Sequence, residues 1–543
     1  MKKQAYNTIS VFYKNLSEKN DEILSGIKVY FKRNQSIILI LLVIALATYG
    51  FELFNLNITI DEEFTSLGRS TSMWEISIGR WGKYLLADIL FPLSTIPFVP
   101  LFVTLLFHLG AILIIFDIFC ICDKQEKFII GGIGMSYPGM VFINTFSTAN
   151  YLVGIGLFCV ILSLYIYSKN MGAKKYLALI PMCFAISIYQ PLITVLISIY
   201  LLFIINSWNK VDFKRITEIR NIIIMILLAI IFYLLISKLF LFLYGMTSSG
   251  YMEQFFDINY LGDNIYWVLK NITRLLINVY SGDETIYGIE IPTIIIFLFV
   301  LGISIFCRIT RSKIKFLDKL VLFFLICIFL FTPFIWGILT RGIIPLRSLM
   351  GIPFILIGWS ILGLENQSNI GKSIILLISI LCIFQFISSS NHLFASSHLA
   401  LQEDRVLGIR LIDRIEEAKD AANSEDIRYF EMVGYIERPS TPLISRIETI
   451  GASFFGWDQG NSQRVLAFLK ILGFYGLEPL PIERRSDFVD ITGTMTIWPD
   501  SGSVKVFNDT VVVKFSDYSP YQISTICNYI KSSQQLYTHN FCP

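Results

Sequence analysis

Eleven stretches of mostly apolar residues, beginning near 36, 96, 129, 150, 177, 191, 222, 291, 320, 349 and 373, divide this chain of 543 residues. A helix needs about 20 such residues to cross a bilayer, where the backbone must satisfy its own hydrogen bonds. The expected fold class is therefore a polytopic α-helical membrane protein with about 11 transmembrane helices. Composition agrees, with 54% hydrophobic and 16% charged residues against about a quarter charged in soluble chains. A formal net charge of +3 is far below the concentrated basic excess of a nucleic-acid binder, so no nucleic-acid partner is expected. The stretches at 177 and 191 meet at Tyr189, Gln190 and Pro191, as a tight hairpin or one broken helix. The first stretch reads as an uncleaved anchor.

Lysine and arginine set the orientation. With a cytoplasmic N-terminal segment at 1–35, the inside segments hold 22 basic residues, and the outside loops, at 55–95, 147–150, 188–191, 245–290 and 340–348, hold 7. An odd number of crossings then places residues 391–543 outside, following a membrane domain at 36–390. In a bacterial inner membrane, outside is the periplasm. No ATP or nucleotide sugar is available there, so chemistry on that face depends on substrates delivered by the membrane.

Asp61, Glu62 and Glu63 open the first outside loop in ITIDEEFTS. One carboxylate at that point commonly marks a helix end. Three together repel one another, which is unhelpful for folding but suits a base held near neutrality. The following SMWEISIGRWGKYLLADILF spaces Trp74, Ile78, Trp81, Leu85 and Ile89 at three or four residues, with Glu75, Arg80, Lys83 and Asp88 between them. That pattern predicts an amphipathic helix lying in the interface, both tryptophans at headgroup level.

Arg341 and Arg347 fall in TRGIIPLRS, an outside loop of nine residues at 340–348. Arginine matches phosphate oxygens, and a lipid phosphate is the client expected there. Snorkelling to ordinary headgroups competes with that reading. Lys238, well within an apolar stretch, is a functional candidate on the same terms. Beyond residue 390, HLALQEDRVLGIRLIDRIEEAKD has the spacing of a soluble amphipathic helix, and strand-like runs at IRYFEMVGYI and TVVVKF alternate with helical stretches around 462–472 and 520–533. A C-terminal α/β domain is expected. Cys527 and Cys542 lie in it, in a disulfide-permitting compartment, and are candidates to pair; the other seven cysteines sit in or beside apolar segments, where they pack. GASFFGWDQGNSQR sets Phe454, Phe455 and Trp457 beside Asp458, Gln459 and Arg464, a composition that fits either a sugar platform or a buried core.

Taken in order, DEE after the first span, GRWGKYLL, SIYQP, RGIIPLRS and FFGWDQGNSQR give a chain that resembles the serotype-converting O-antigen glucosyltransferases, the type II glucosyl transferase family. The resemblance spreads over most of the chain through short, degenerate motifs. It implies a GT-C type membrane enzyme that takes glucose from undecaprenyl-phosphate-glucose and adds it to lipid-linked O-antigen in the periplasm, without a cofactor. It further implies a base at Asp61 or Glu62, with Glu63 a weaker candidate; the family has an acidic pair where this chain has three acids, so the register of the pair is open. Arg341, Arg347, Arg80, Lys83 and Lys238, in falling order, are the candidates for the donor phosphate. Glu63, Tyr189, Gln190, Trp457, Asp458 and Arg464 are those for acceptor and sugar. Apart from the acids, no pattern of metal ligands is visible, and metal independence is expected. Partners would be a donor synthase, a flippase and membrane lipids. A flippase or transporter and an O-antigen polymerase are the rival readings; the near absence of charges within the spans and the lack of an inverted repeat weigh against transport.

Overall fold

The computed structural model describes residues 2–67, 72–90, 96–210, 213–250, 258–312, 315–365, 367–422, 426–532 and 542. Among them, seven helices are long and apolar enough to cross a membrane: Lys28–Phe54, Val99–Ile118, Asn150–Lys169, Arg215–Leu243, Thr293–Arg311, Phe316–Leu339 and Asn369–Ala422. The other four expected crossings fall on shorter helices, Lys124–Ser136, Leu179–Ile188, Leu192–Ser207 and Ile352–Leu364. The longest of these has 16 residues and reaches about 24 Å, short of a hydrocarbon core of about 30 Å. Proline explains two of the interruptions. Lys124–Ser136 stops at Tyr137 before Pro138, and Tyr189 turns extended (φ −155°) ahead of Gln190 and Pro191, so that pair of segments, which leaves the end that holds Lys175 and returns to the end that holds Arg215, is a hairpin.

Glycines let the bundle close. A Cβ on Gly154 would stand 2.8 Å from the Cα of Thr104 and 3.2 Å from its carbonyl oxygen, where Asn150–Lys169 crosses Val99–Ile118. Backbone atoms cannot swing aside, so Gly154→Leu is expected to cost at least about 1–3 kcal/mol from overpacking. Thermal unfolding of the detergent-purified protein checks this as a lowered midpoint and a reduced yield of monodisperse material.

Charged side chains at the two ends of the bundle pair within their own end. At one, Lys372 bridges Asp123 and Glu126, Lys169 meets Asp117, Lys175 meets Glu218, Arg215 meets Asp318 and Arg308 meets Glu365. At the other, Glu62–Ser147 and Arg80–Gln190 hydrogen bonds join loops to one another, and Ser445–Gly288 and Glu448–Leu346 hydrogen bonds tie the segments around 288 and 346 to the C-terminal region.

The first loop departs from the expected single amphipathic helix. It forms two, Ser72–Ser77 and Trp81–Leu90, separated by Gly79 at φ +78°, a conformation glycine takes without a Cβ penalty. The turn redirects Trp81 inward, where it is 7% exposed and stacked on Phe240 at 5.7 Å, while Trp74 remains 46% exposed. Only Trp74 of the two suits the headgroup level. Residues 245–290, read as a loop, contain the helix Ile258–Ser281, whose Val268, Ile272 and Val279 form a buried stripe at helical spacing.

Residue 390, the expected domain boundary, lies inside one 54-residue helix, Asn369–Ala422, that runs from the bundle into the C-terminal region without a break. The change there is in side chains, since Leu401, Leu407, Leu411 and Ile415 now pack on a soluble core with Phe430, Met432 and Val511. That core supports a four-stranded sheet of β1 (Tyr429–Val433), β2 (Glu478–Pro479), β3 (Val504–Phe507) and β4 (Thr510–Lys514), in the order β2-β1-β4-β3. β1 runs parallel to β2 and β4, and β3 antiparallel to β4. Helices Ser462–Ile471 and Pro520–Ser532 occupy the stretches expected to be helical, and Cys527 is disulfide-bonded to Cys542.

Candidate active site

The three acids of the first loop have three different environments. Asp61 takes a left-handed backbone (φ 80°) at the N-cap of the short helix Glu62–Ser66, and its side chain is 57% exposed. Glu62 and Glu63 are buried, at 1% and 0% exposure. Glu62 uses both oxygens as acceptors: Oε1 from the Ser147 hydroxyl (2.9 Å) and the Thr148 amide (3.0 Å), Oε2 from the Thr59 amide (3.2 Å). Burial raises its pKa, and these bonds work against the rise. Such a carboxylate clamps the loop to the 147–148 turn, with both oxygens accepting from protein donors.

Glu63 instead meets Arg464, which reaches over from the C-terminal domain. Burial lifts Glu63 to about 7, with the guanidinium pulling the other way, and its Oε2 is buried without a hydrogen bond. The same guanidinium holds Asp61 Oδ1 through Nη2 at 3.0 Å and Asp458 Oδ2 through Nε at 2.9 Å, and lies 5.7 Å from the ring centre of Phe64. Arg464 stands in the first turn of Ser462–Ile471, which begins at Asn461, whose Oδ1 accepts from the Gln463 and Arg464 amides at 3.1 Å each. Of the expected acceptor residues, Glu63, Asp458 and Arg464 are thus brought together, and onto Asp61. Trp457 is half-buried against the domain core, and Phe454 and Phe455 are in it, at 2% and 0% exposure, with Phe454 stacked on Phe468 at 4.4 Å.

Arg347 approaches from another side. Its guanidinium lies 5.7 Å from the ring centre of Phe146, the residue before the Ser147–Thr148 pair that binds Glu62. The loop is fixed by Glu448 of the C-terminal region, which accepts from the Leu346 amide; burial raises the pKa of Glu448, opposed by that bond and by Arg347. Arg341 is half-buried and left-handed (φ 54°), in the turn that packs Gly342 against Val268 and Asn271 of the Ile258–Ser281 helix.

The remaining candidates form a separate group. Glu75 takes Lys83 at 2.5 Å and Arg80 at 3.7 Å, Arg80 donates to Gln190 Oε1 at 3.1 Å, and it lies 4.9 Å from the ring centre of Tyr189. Gln190 in turn donates to the Ile78 carbonyl and the Tyr233 hydroxyl. Tyr189 and Gln190 therefore join Arg80 and Lys83, with no hydrogen bond or ion pair to the acid cluster among the described residues. Lys238 is exposed on the Arg215–Leu243 helix and joins neither group. Ser147, Thr148 and Glu448 escaped the sequence reading, and Glu75 entered it only as one of the polar residues between the apolar positions of the first loop. No local pattern marks a serine, a threonine or an isolated glutamate whose role depends on a partner 85 or 102 residues away.

No curated protein and no solved structure matches the chain. Residues 50–358 match the family model described as Glucosyl transferase GtrII. The match spans more than half of the sequence, including the three acids, the 147–148 turn and both loop arginines, and stops short of Arg464. The chain belongs to the GtrII glucosyl transferase family.

Proposed function

We propose that this chain transfers a glucosyl residue from undecaprenyl-phosphate-glucose to lipid-linked O-antigen at the periplasmic face of the bacterial inner membrane, through a GT-C type membrane domain. The observation that carries the reading is Asp61, the exposed acid of the three, within a site whose family is glucosyl transferase. Asp61 takes the proton from an acceptor hydroxyl, whose oxygen forms the new bond at the anomeric carbon as the bond to the donor phosphate breaks. The phosphate departs with the electron pair, stabilised by Arg347 and Arg341. So good a leaving group needs no second carboxylate as acid. Single displacement inverts the anomeric centre, so a β-linked donor gives an α-glucoside.

The pairing of loops at the C-terminal end of the bundle supports one shared reaction face, and the excess of lysine and arginine on the opposite segments supports that face being periplasmic. Incubation of the purified protein with undecaprenyl-phosphate-glucose and lipid-linked O-antigen tests the proposal by mass spectrometry. One added hexose per modified repeat is expected. Sugar movement without transfer would make the chain a flippase, and elongation of the glycan a polymerase. In the same assay Arg347→Ala is expected to lower kcat/KM for the donor about tenfold or more, the value of one charge-assisted hydrogen bond to phosphate.

A further inference from the structure

Arg464 is an odd residue to find where it is. A cation in the first turn opposes the helix dipole, its side chain is 7% exposed, and buried ion pairs contribute little net stability. Helix stability alone would favour an acid at this position. Two of the groups facing it, Asp61 (φ 80°) and Asp458 (φ 60°), sit in left-handed backbone, a strain of order 1–3 kcal/mol each that persists where the surroundings impose it. The charged groups around the guanidinium are Asp61 and Glu63 from the first loop and Asp458 from its own domain, with the Phe64 ring beside it. Nε, Nη1 and Nη2 each bond a carboxylate, which leaves little of the fork for an acceptor sugar. Asp61 gives Oδ1 to Arg464, while its Oδ2 accepts no hydrogen bond among the described residues.

From this geometry we propose that Arg464 is a positioning residue for the base. The C-terminal domain inserts one guanidinium into the first loop, tethers Oδ1 of Asp61 and so aims Oδ2 at the acceptor hydroxyl, with Glu63 and Asp458 fixing the guanidinium in turn. Its segment is itself braced to the long helix, where Asp404 accepts from the Ser453 hydroxyl and the Phe454 amide at 2.7 Å each and pairs with Arg438 at 3.1 Å. The inference rests on Asp61 being the base, as proposed above.

The test uses the full-length protein with purified donor and acceptor. Arg464→Met is expected to lower kcat roughly 100-fold, the cost of a misplaced reacting group, with KM for both substrates unchanged. Arg464→Lys recovers part of the rate, since an ammonium is a point charge that can hold one carboxylate but not three. Removing the arginine also orphans the buried Glu63, so the double variant Glu63→Gln/Arg464→Met separates the two roles: its melting temperature returns toward wild type while kcat stays low. A double variant with wild-type kcat would overturn the proposal. So would a raised acceptor KM at unchanged kcat, which would return Arg464 to acceptor binding. If Asp61→Asn is also fully active in this assay, the failure lies in the function assigned to the site and not in the role of Arg464.

Discussion

Asp61→Asn is expected to abolish measurable glucosyl transfer. The amide keeps the size and hydrogen-bonding reach of the carboxylate but cannot accept a proton, so the expected loss in kcat is the full contribution of a general base, about 10²–10⁴-fold. Arg464 can no longer form an ion pair at that position but retains Glu63 and Asp458, so the domain contact survives. Mass spectrometry of lipopolysaccharide from cells with matched membrane levels reads the added hexose directly. Hexose at the wild-type level would remove Asp61 from the mechanism.

Glu62→Ala is expected to produce the other large effect, on folding. The substitution leaves the Thr59 and Thr148 amides and the Ser147 hydroxyl without the acceptor they share. Each stranded polar group costs about 1–3 kcal/mol, so the sum rivals the whole stability of an ordinary domain, about 5–15 kcal/mol. The expected result is little folded protein in the membrane, seen as loss of monodisperse material on size-exclusion chromatography. Glu62→Gln retains one acceptor oxygen and is expected to fold with most of its activity. A Glu62→Gln variant that folds normally and transfers nothing would make Glu62, not Asp61, the base.

These two variants mark how far the sequence could be read. Three consecutive acids after a span pointed to a candidate site, but their three different environments were invisible, because these depend on which oxygens the 147–148 turn and Arg464 satisfy. Helical membrane segments and the strands at 429–433 and 510–514 were legible from apolar runs and β-branched content. The break at Gly79 was not, since the apolar spacing continues straight through it and one glycine in a helical pattern carries little weight. Arg464 was legible as a residue in an aromatic and polar motif, yet two of its three carboxylate partners lie some 400 positions earlier in the chain. The expectation that it contacts acceptor sugar followed from its neighbours in sequence, which include Asp458 but not Asp61 and Glu63, the two other carboxylates it holds.

The continuous helix from Asn369 to Ala422 acts as a ruler as well as a tether. At 1.5 Å and 100° per residue, it fixes both the height of the C-terminal domain above the helical bundle and the compass direction in which Arg464 faces. Inserting a single residue near 395 would raise the domain by about 1.5 Å and turn it by about 100°, carrying the guanidinium off the first loop altogether. Length in this stretch is therefore tied to rotational phase, and related chains with taller or shorter domains would have to accommodate the difference after residue 422, beyond the helix, and not within it.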